Sequence, residues 1–457
     1  EVTGARPGRD TMAAYVTENA PAGGNVAPVR RRRPTCTLPT PREPFPADYM
    51  PVRCIVDHQM PARHSAALRG RSRARLALAA LLVPLSLGAQ DVQRSSQHDY
   101  RIVTVAEGLV SPWSMAFLPG GDLLVTERGG TLRIIRGGRL LPTAVPGVPK
   151  VRVGGQGGLL DVVAHPRFAQ NRFIYLSFSK PSEDGTQSAT AVVRARFAND
   201  QLTDVQEIFV AKNWSRGMGH YGSRLAFDRD GYLFVTLGDR QVMPAGPIDS
   251  LMKHPAQDLG THHGKVVRLR DDGSVPPDNP FVNTPGALPE IWSYGHRNVQ
   301  GIAIDLRTNQ VWTDEHGPQG GDELNIDEAG KNYGWPVIGF GVNYRSGSNI
   351  HIGTTRQGME QPVHVWVPSI ATSGLVVYGG DKFPGWRGDL FVGGMAGQRL
   401  VRLTVDGRTV KNVENLVQGM GRIRGLREGP DGFLYIAFED AGGGPSKLVR
   451  LEPVRRS

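Results

Sequence analysis

The sequence predicts an all-β protein, a six-bladed β-propeller of four-stranded antiparallel sheets. The chain of 457 residues contains 58 glycines and 34 prolines, many between short apolar runs, which favours turns and short strands over long helices. One strand pattern recurs six times between residues 98 and 455. A second apolar strand and a turn precede several of the copies. We therefore expect a propeller domain over 98–455.

The repeated pattern is a turn containing Gly, Asp or Asn, followed by an apolar strand that ends in small or polar residues. One four-stranded blade takes about 40–50 residues, so wider spacing between copies indicates loop insertions. The copies are GGDLLVT at 120–126, NRFIYLS at 171–177, DGYLFVT at 230–236, NQVWTD at 309–314, RGDLFVG at 387–393 and DGFLYIA at 431–437.

Four upstream segments, SPWSMAFLPGG, GSRLAFDRDG, NVQGIAIDLRTN and RIRGLREGPDG, each predict a hairpin in the middle of a blade. A β-sandwich or barrel with chance similarity is the alternative, which six copies over the whole region disfavour. Loops at one end of a propeller channel converge, so residues that are distant in sequence meet there.

The amino-terminal region has the composition of a targeting segment. We expect 60–89 to be a signal peptide, because arginines precede an apolar run at 76–87 and small residues follow. Residues 1–59 are rich in Pro and Arg and lack periodicity, so we expect a disordered leader or an over-extended reading frame. These features predict a bacterial periplasmic or secreted protein whose mature chain has no integral membrane segment.

The net charge of +10 does not indicate nucleic-acid binding, because it is concentrated in this leader. Residues 1–89 contain 13 Arg and 6 acidic residues, a balance of +7, which leaves about +3 for the remainder. Both cysteines, Cys36 and Cys54, precede the expected cleavage site. The mature chain should therefore hold neither a disulfide nor a Cys-ligated metal.

Two glycine-rich loops contain candidate site residues. Gln156 lies among four glycines at 153–168, where a ligand could approach the backbone closely, although a flexible turn with a solvated Gln is the alternative. His220 lies in GMGHYG immediately before a strand, and neutral imidazole is the usual general base for a hydroxyl. A structural or exposed histidine is the alternative, and the sequence does not rank His220 above four rivals: His165, His254, His262 and His263.

Two further segments offer polar and cationic groups. Arg297 and Asn298 lie at a loop-to-strand junction, where Arg can clamp a carboxylate and Asn can complete a polar cradle. Arg422 and Arg424 alternate and so share one side of an extended strand. Two guanidiniums on one side favour an anion between them, and with Arg297 they suit a polycarboxylate, although solvated arginines are the alternative.

The segment 312–336, WTDEHGPQGGDELNIDEAGKNYGWP, indicates a calcium site. It combines six acidic residues with loop carbonyls, and calcium takes six to eight carboxylate and carbonyl oxygens in a flexible loop. The spacing is not that of an EF-hand, and a solvated acidic loop is the alternative.

The chain from about 100 to 452 resembles the soluble aldose sugar dehydrogenases that depend on pyrroloquinoline quinone (PQQ), within the glucose/sorbosone dehydrogenase family. The resemblance rests on stretches that keep their order along the chain: GLVSPWSMAFLPGGDLLVTERGG, GGQGGLLDVVAHP, GHYGSRLAFDRDGYLFVTLGDR, AQDLGTHHGKVVRL, WSYGHRNVQGIAID, EHGPQGGDELN, NYGWP and PGWRGDLFVG. It implies PQQ across the mouth of a six-bladed propeller, with calcium.

The resemblance also implies roles for individual residues. His220 matches the general base, and Arg297 matches the group that stabilises charge on the quinone. The implied quinone-binding residues are Gln156, Arg297, Asn298, Tyr344, Arg422 and Arg424, and the implied calcium ligands are Gly317, Pro318, Glu323 and Tyr333. Ala396 stands where some relatives have a Lys that pairs with the quinone. The segment around Ala396 would therefore contact the cofactor through its backbone or by packing, and not through a charge.

The implied reaction is oxidation of an aldose at C1 to the lactone, with hydride transfer to the quinone and a separate electron acceptor. The departure at Ala396 favours the broader aldose enzymes over a strict glucose enzyme. A calcium-dependent lactonase or another hydrolase and a non-enzymatic propeller that binds a protein or glycan are the alternatives. The sequence leaves open whether the protein forms a homodimer.

Overall fold

The computed structural model describes residues 91–344 and 346–455, and the expected leader and signal peptide at 1–59 and 60–89 lie outside these residues. In the described part, six four-stranded antiparallel sheets form the six blades of a β-propeller, which confirms the predicted fold class. Among the same residues, no helix is both long and apolar enough to cross a membrane.

The first three blades follow one another along the chain. Blade 1 contains β2 (Pro112–Phe117), β3 (Leu123–Glu127), β4 (Thr131–Arg136) and β5 (Arg139–Leu140). Blade 2 contains β6 (Leu159–Ala164), β7 (Phe173–Pro181), β8 (Ser188–Ala198) and β9 (Gln201–Val210). Blade 3 contains β10 (Leu225–Phe227), β11 (Leu233–Leu237), β12 (Lys265–Leu269) and β13 (Ile291–Tyr294).

The last three blades include the strand that closes the ring. Blade 4 contains β14 (Val299–Asp305), β15 (Gln310–Glu315), β16 (Asp322–Asp327) and β17 (His364–Trp366). Blade 5 contains β18 (Thr372–Val377), β19 (Leu390–Gly394), β20 (Arg399–Asp406) and β21 (Thr409–Leu416). Blade 6 contains β22 (Arg422–Glu428), β23 (Leu434–Glu439), β24 (Pro445–Val454) and, as its outer strand, β1 (Asp99–Val110).

The short helices of the described residues lie in the connections. They are α1 (Phe168–Asn171), α2 (Ile248–Met252) and the 3₁₀ turns Pro255–Gln257 and Pro384–Trp386.

Each copy of the repeated pattern forms the second strand of a blade: β3, β7, β11, β15, β19 or β23. The upstream segments form the innermost strands, so each predicted hairpin is the inner half of its blade and not its middle. The predicted position was wrong by one strand because the apolar pattern alone does not show which edge of a sheet faces the channel.

The hydrophobic core is divided among the interfaces between neighbouring blades. Leu124 of blade 1 packs with Leu176 of blade 2 in one such cluster, and Tyr175 with Leu233 joins blades 2 and 3 in the next. A cluster with Leu109 and Leu448 joins blade 6 to blade 1. This packing fixes each blade against two neighbours and so fixes the loops at the ends of the channel.

Register shifts mark the beginning of five inner strands, for example between Val299 and Gly301 in β14 and between Ile423 and Gly425 in β22. A β-bulge bends its strand and re-aims the neighbouring side chains, and bulges are frequent beside binding sites. All inner strands begin at the same end of the ring, which is called the site face below.

Candidate active site

A cavity of about 690 Å³ opens on the site face. It is lined by loops that precede the inner strands and by loops that follow the second strands. His220 precedes β10 and Arg297 precedes β14, whereas Asp239 follows β11 and His316 follows β15. Residues that are almost 100 positions apart in the sequence therefore line the same cavity, as the propeller geometry predicts.

His220 is held in a fixed orientation at the wall of the cavity. Its φ of +49° places it in the left-handed region, which suits a tight turn between two glycines. Its Nδ1 lies 2.6 Å from Oδ1 of Asp239, and its backbone N–H donates to Oε1 of Gln156 at 2.8 Å. Within the described chain, Nε2 has no hydrogen-bond partner, so it is the nitrogen that can receive a substrate proton.

Asp239 is the buried partner that orients this imidazole. One oxygen accepts from His220 and from the backbone N–H of Gln241, and the other accepts from Nε1 of Trp335 at 2.8 Å. Burial opposes ionisation, but His220 and Arg297 together hold the pKa of Asp239 below its usual value. The ionised carboxylate favours the tautomer with the proton on Nδ1 of His220.

The protonation state of His220 suits a general base. Burial lowers the pKa of His220 below its ordinary value, and the positive charge of Arg297 acts in the same direction, while Asp239 opposes them. The imidazole is therefore neutral near pH 7, with Nε2 able to take a proton.

Arg297 presents a cation to the cavity, and its guanidinium has no carboxylate partner among the residues that the structure describes. Its Nη1 donates to the carbonyls of His316 at 3.0 Å and Gly317 at 2.6 Å, and the guanidinium lies 5.2 Å from the ring centre of Trp335. Its Nε is buried and unpartnered among the described residues. Both the charge and a donor thus remain available to an anionic ligand.

Asn298 is fully buried, does not line the cavity, and has a donor without a partner among the described residues. Its Oδ1 accepts from the backbone of Gly222 at 3.2 Å and from Nε2 of Gln300 at 3.1 Å. Its Nδ2 has no partner within the described part of the chain. A buried unsatisfied amide is costly and often marks a place for a ligand or water.

The remaining predicted quinone-binding residues divide into two groups. Gln156 and the largely exposed Tyr344 line the cavity together with His220 and Arg297. Ala396, Arg422 and Arg424 do not line it. Ala396 is exposed and its backbone N–H donates to Ile370, so this position offers no charged side chain to the cavity.

Arg422 and Arg424 share a protein anion that the sequence pattern did not reveal. Arg424 donates to Oε2 of Glu439 at 3.1 and 3.2 Å, and Nε of Arg422 lies 3.9 Å from the same oxygen. Arg128 approaches the other oxygen at 3.5 Å. Three guanidiniums surround one carboxylate, so this cluster keeps a net positive charge, and its Glu439 lines a cavity other than the one that His220 lines.

The four rival histidines have structural partners and do not line the large cavity. Nδ1 of His165 accepts from the backbone of Arg167, and the imidazole of His254 lies 3.1 Å from the Val242 carbonyl. Nδ1 of His262 accepts from the Lys212 backbone at 2.8 Å, and His263 pairs with Thr261 at 3.3 Å. The structure thus distinguishes His220, which the sequence did not.

A second, much smaller cavity of about 20 Å³ adjoins the first and is large enough for one ion or water. All four predicted calcium residues line it, together with Glu315. The predicted ligands that meet there are Gly317, Pro318, Glu323 and Tyr333.

The predicted calcium ligands around this small cavity offer oxygen atoms, whereas the nitrogen-bearing side chains of Arg297, His316, Trp335 and His351 also line it. Burial raises the pKa of Glu323 to about 8, and the nearby Glu315 acts in the same direction, so a cation at this point would relieve both effects. The Gly317 carbonyl already accepts from Arg297, and the hydroxyl of Tyr333 already donates to the Ile326 carbonyl. The described residues contain no cluster of three or more acidic, His or Cys side chains suited to a metal, so carbonyls would have to complete the shell.

Sequence reasoning missed Asp239, Trp335 and His316. Burial lowers the pKa of His316 to about 3, and Arg424 and Arg297 act in the same direction, so this residue faces the cavity as a neutral imidazole. Asp239 lies in the motif GDR directly after the third repeat, and this position after a second strand was the available signal.

Comparison with known proteins shows the family to which the chain belongs. The sequence model of the family described as Glucose / Sorbosone dehydrogenase matches residues 109–450. The chain belongs to the glucose/sorbosone dehydrogenase family. This range contains every residue that lines the large cavity.

Members of the glucose/sorbosone dehydrogenase family with known names and structures cover the same region. Aldose sugar dehydrogenase YliI of Escherichia coli is 42% identical over 77% of this chain and 92% of its own. The apo crystal structure of the soluble E. coli aldose sugar dehydrogenase superposes with a TM-score of 0.71 at 41% identity, covering 78% of this chain and all of that one. The PQQ-bound aldose sugar dehydrogenase of Streptomyces coelicolor has a TM-score of 0.62 at 30% identity, over 78% and 98% of the two chains.

Proposed function

We propose that this protein oxidises aldose sugars at C1 to the lactone, using bound PQQ and calcium, with His220 as the general base. The observation that carries the proposal is the His220–Asp239 pair at the wall of the 690 Å³ cavity, with Nε2 free and Arg297 nearby. The named relatives support the sugar substrate, and the PQQ-bound neighbour supports the cofactor.

The residues around the large cavity fit a planar polycarboxylate. Arg297 offers the cavity a guanidinium that has no carboxylate partner among the described residues, and its Nε is also unpartnered there. The buried free N–H of Asn298 and the cationic cluster around Glu439 are not part of the cavity lining. Bidentate donors and uncompensated cations are what a carboxylate-rich quinone requires. The small cavity supplies oxygen ligands of the kind that calcium prefers.

Bound PQQ would supply the two-electron oxidant that takes the hydride from C1, and calcium would polarise its carbonyl. The protein's own part is proton transfer and charge stabilisation. Nε2 of His220 takes the proton from the anomeric hydroxyl, and Asp239 stabilises the imidazolium that forms. The guanidinium of Arg297 stabilises negative charge that develops in the cavity.

The decisive experiment is reduction of an artificial electron-acceptor dye by the purified protein. A panel of aldoses is supplied with calcium, with and without PQQ. Dye reduction that needs both sugar and PQQ supports the proposal. Absence of reduction, together with absence of quinone absorbance on the protein, would overturn it in favour of a binding propeller, or of a lactonase if a lactone is hydrolysed.

A further inference from the structure

A cavity of about 440 Å³ lies on the face opposite to the candidate active site. The inner strands run from the site face to the other end of the ring, so the β6–β7 and β10–β11 turns lie at that opposite end. The β12–β13 connection begins there too, because β12 runs parallel to the inner strand β10. These three connections supply the walls of the cavity.

Three arginines from the three connections line this cavity. They are Arg167, Arg229 and Arg270, and all are exposed. In the part of the chain that the structure describes, none of their guanidiniums forms an ion pair, and none donates a hydrogen bond. Most other arginines of the propeller have such partners, as Arg136 has in Asp122 and Asp200. Three guanidiniums that line one cavity without ion-pair partners are groups that a multiply charged anion requires, and they outnumber the two carboxylates of that lining, Asp230 and Asp271.

The acidic residues of the cavity already have other partners. Oδ2 of Asp271 lies 3.4 Å from Nε2 of His165, and Oδ2 of Asp230 accepts from Asn309 at 3.3 Å. His165 accepts at Nδ1 from the Arg167 backbone, so its proton is on Nε2 and points towards Asp271. These hydrogen bonds orient the two carboxylates and leave their charge in place, so three arginines and two aspartates give the cavity lining a surplus of one positive charge.

The cavity wall is fixed by partly buried hydrogen bonds. The Asp271 carbonyl accepts from the Tyr175 hydroxyl at 2.9 Å and from Nη1 of Arg194 at 3.2 Å. The Asp228 side chain accepts from the backbone of Asp230 and Tyr232, which sets the β10–β11 turn. A site on rigid turns loses little conformational entropy when a ligand binds.

We propose that this cavity binds a phosphoryl group through Arg167, Arg229 and Arg270. A tetrahedral phosphomonoester presents three oxygens and close to two negative charges, which three guanidiniums from different directions can contact together. The volume exceeds that of a bare ion and leaves room for the group that carries the phosphate. The carrier is a free sugar phosphate or inorganic phosphate, or the headgroup of a phospholipid.

The inference is independent of the proposed oxidation, because the two cavities share no lining residue and open at opposite ends of the ring. A protein bound to lipid headgroups through this face would keep its candidate active site directed towards the solvent. Sugar and acceptor would then reach the site face without competition from the membrane.

Calorimetric titration with inorganic phosphate at low ionic strength tests the site. We expect Arg167→Gln, Arg229→Gln and Arg270→Gln each to weaken binding about tenfold, the loss of one charge-assisted hydrogen bond. Arg172→Gln is the matched control, because Arg172 is a nearby arginine with no ion pair in the described chain that lines a different cavity. Melting temperatures and dye reduction verify that each variant is folded.

Phosphate binding that depends on the three arginines but not on Arg172 would support the proposal. Equal weakening of phosphate binding in the Arg172 variant would overturn the proposal, because binding would then depend on the overall surface charge and not on this cavity. Sedimentation with phosphatidylcholine vesicles, prepared with and without phosphatidic acid, identifies the carrier of the phosphate. Arginine-dependent binding to the vesicles that contain phosphatidic acid supports a lipid headgroup. Binding to inorganic phosphate but not to these vesicles supports a soluble ligand. Binding to neither phosphate nor vesicles would overturn the site.

Discussion

His220 acquires its chemical role from contacts that its own sequence neighbourhood does not contain. The glycines on either side permit the left-handed turn, but Asp239 fixes the ring from a distance of 19 residues. Trp335 then fixes Asp239 from the next blade. A base whose orientation depends on two other loops should be sensitive to substitutions that never touch substrate.

Asp239→Asn should lower kcat about a hundredfold or more while changing KM little, because the imidazolium loses its stabilising carboxylate. The pH profile should shift as well. Asp239 raises the pKa of His220, so its neutralisation lowers that pKa further, and the acid limb of the rate moves to lower pH. Steady-state rates measured as a function of pH provide the check. An acid limb that stayed in place would show that His220 is not the titrating group.

At the residue scale, the sequence indicated candidate residues that are charged or that lie in glycine-rich loops. It did not indicate the residues that form hydrogen bonds or ion pairs with them. His220, Arg297 and Asn298 stood out by residue type and loop context. Glu439 did not, because its meeting with Arg422 and Arg424 depends on strand pairing between β22 and β23. The sequence pattern led us to expect a ligand carboxylate beside the two arginines, and the structure has the protein's own Glu439 there.

At the scale of elements, the loop between β15 and β16 connects the two cavities. It begins after Glu315, carries Gly317 and Pro318 between them, and ends at Asp322. Asp322 accepts from the Gly317 backbone at 3.0 Å and so holds the loop in shape without a ligand. The backbone of this loop is therefore fixed by the protein's own hydrogen bond at the place where we propose that calcium binds.

Glu323→Gln should remove most of the stabilisation that calcium gives the protein. A ligand present at a hundred times its Kd adds about 2.7 kcal/mol, which is lost when the ligand no longer binds. Thermal denaturation with calcium and with a chelator measures the difference. Glu328→Gln is the control, because Glu328 is a half-exposed acidic residue of the same segment that does not line the small cavity. Equal calcium shifts in wild type and the Glu323 variant would contradict the site.

The long loop between β11 and β12 depends on one buried lysine. Nζ of Lys265 donates to the carbonyls of Pro255 at 3.2 Å, Ala256 at 2.9 Å and His263 at 2.7 Å. The same loop brings Gln241 and its neighbours to the wall of the large cavity. Its conformation thus connects the packing of blade 3 to the shape of the candidate active site.

Lys265→Met should reduce the free energy of unfolding by about 3 kcal/mol, because three buried carbonyls lose their donor. KM for sugar should rise because the cavity wall is displaced. Urea denaturation and steady-state kinetics measure the two effects. Lys180→Met, at a surface pair with Glu207, is the control and should change stability by less than about 1 kcal/mol. A Lys265 variant as stable as that control would refute this role.

At the scale of the whole molecule, the six repeats predicted the fold because each blade needs a central apolar strand whatever its loops contain. Ring closure was not predicted. β1 pairs with β24, so the first and last strands of the described chain share blade 6, and no local pattern in β1 indicates this pairing. The loop insertions that build the cavities also break the repeat spacing that revealed the blades.

Leu109→Ala tests the importance of that closure. Leu109 is fully buried where blade 6 meets blade 1, so its truncation should cost about 3 kcal/mol through lost burial and a residual cavity. Fluorescence and circular dichroism should still report one coincident transition, because every blade depends on its neighbours. The neighbouring Val110→Ala is the control, since Val110 is half-exposed. A loss as small as in that control would mean that β1 does not support the ring.

The central claim is that His220 is the base of a quinone-dependent sugar oxidation. The measurement that tests it most directly compares aldose-dependent dye reduction by wild type and His220→Ala, with PQQ binding measured separately by absorbance. The rate should fall about 10²- to 10⁴-fold with quinone affinity nearly unchanged, whereas His263→Ala, outside the cavity lining, should retain activity. A His220→Ala variant with near wild-type turnover would contradict the account.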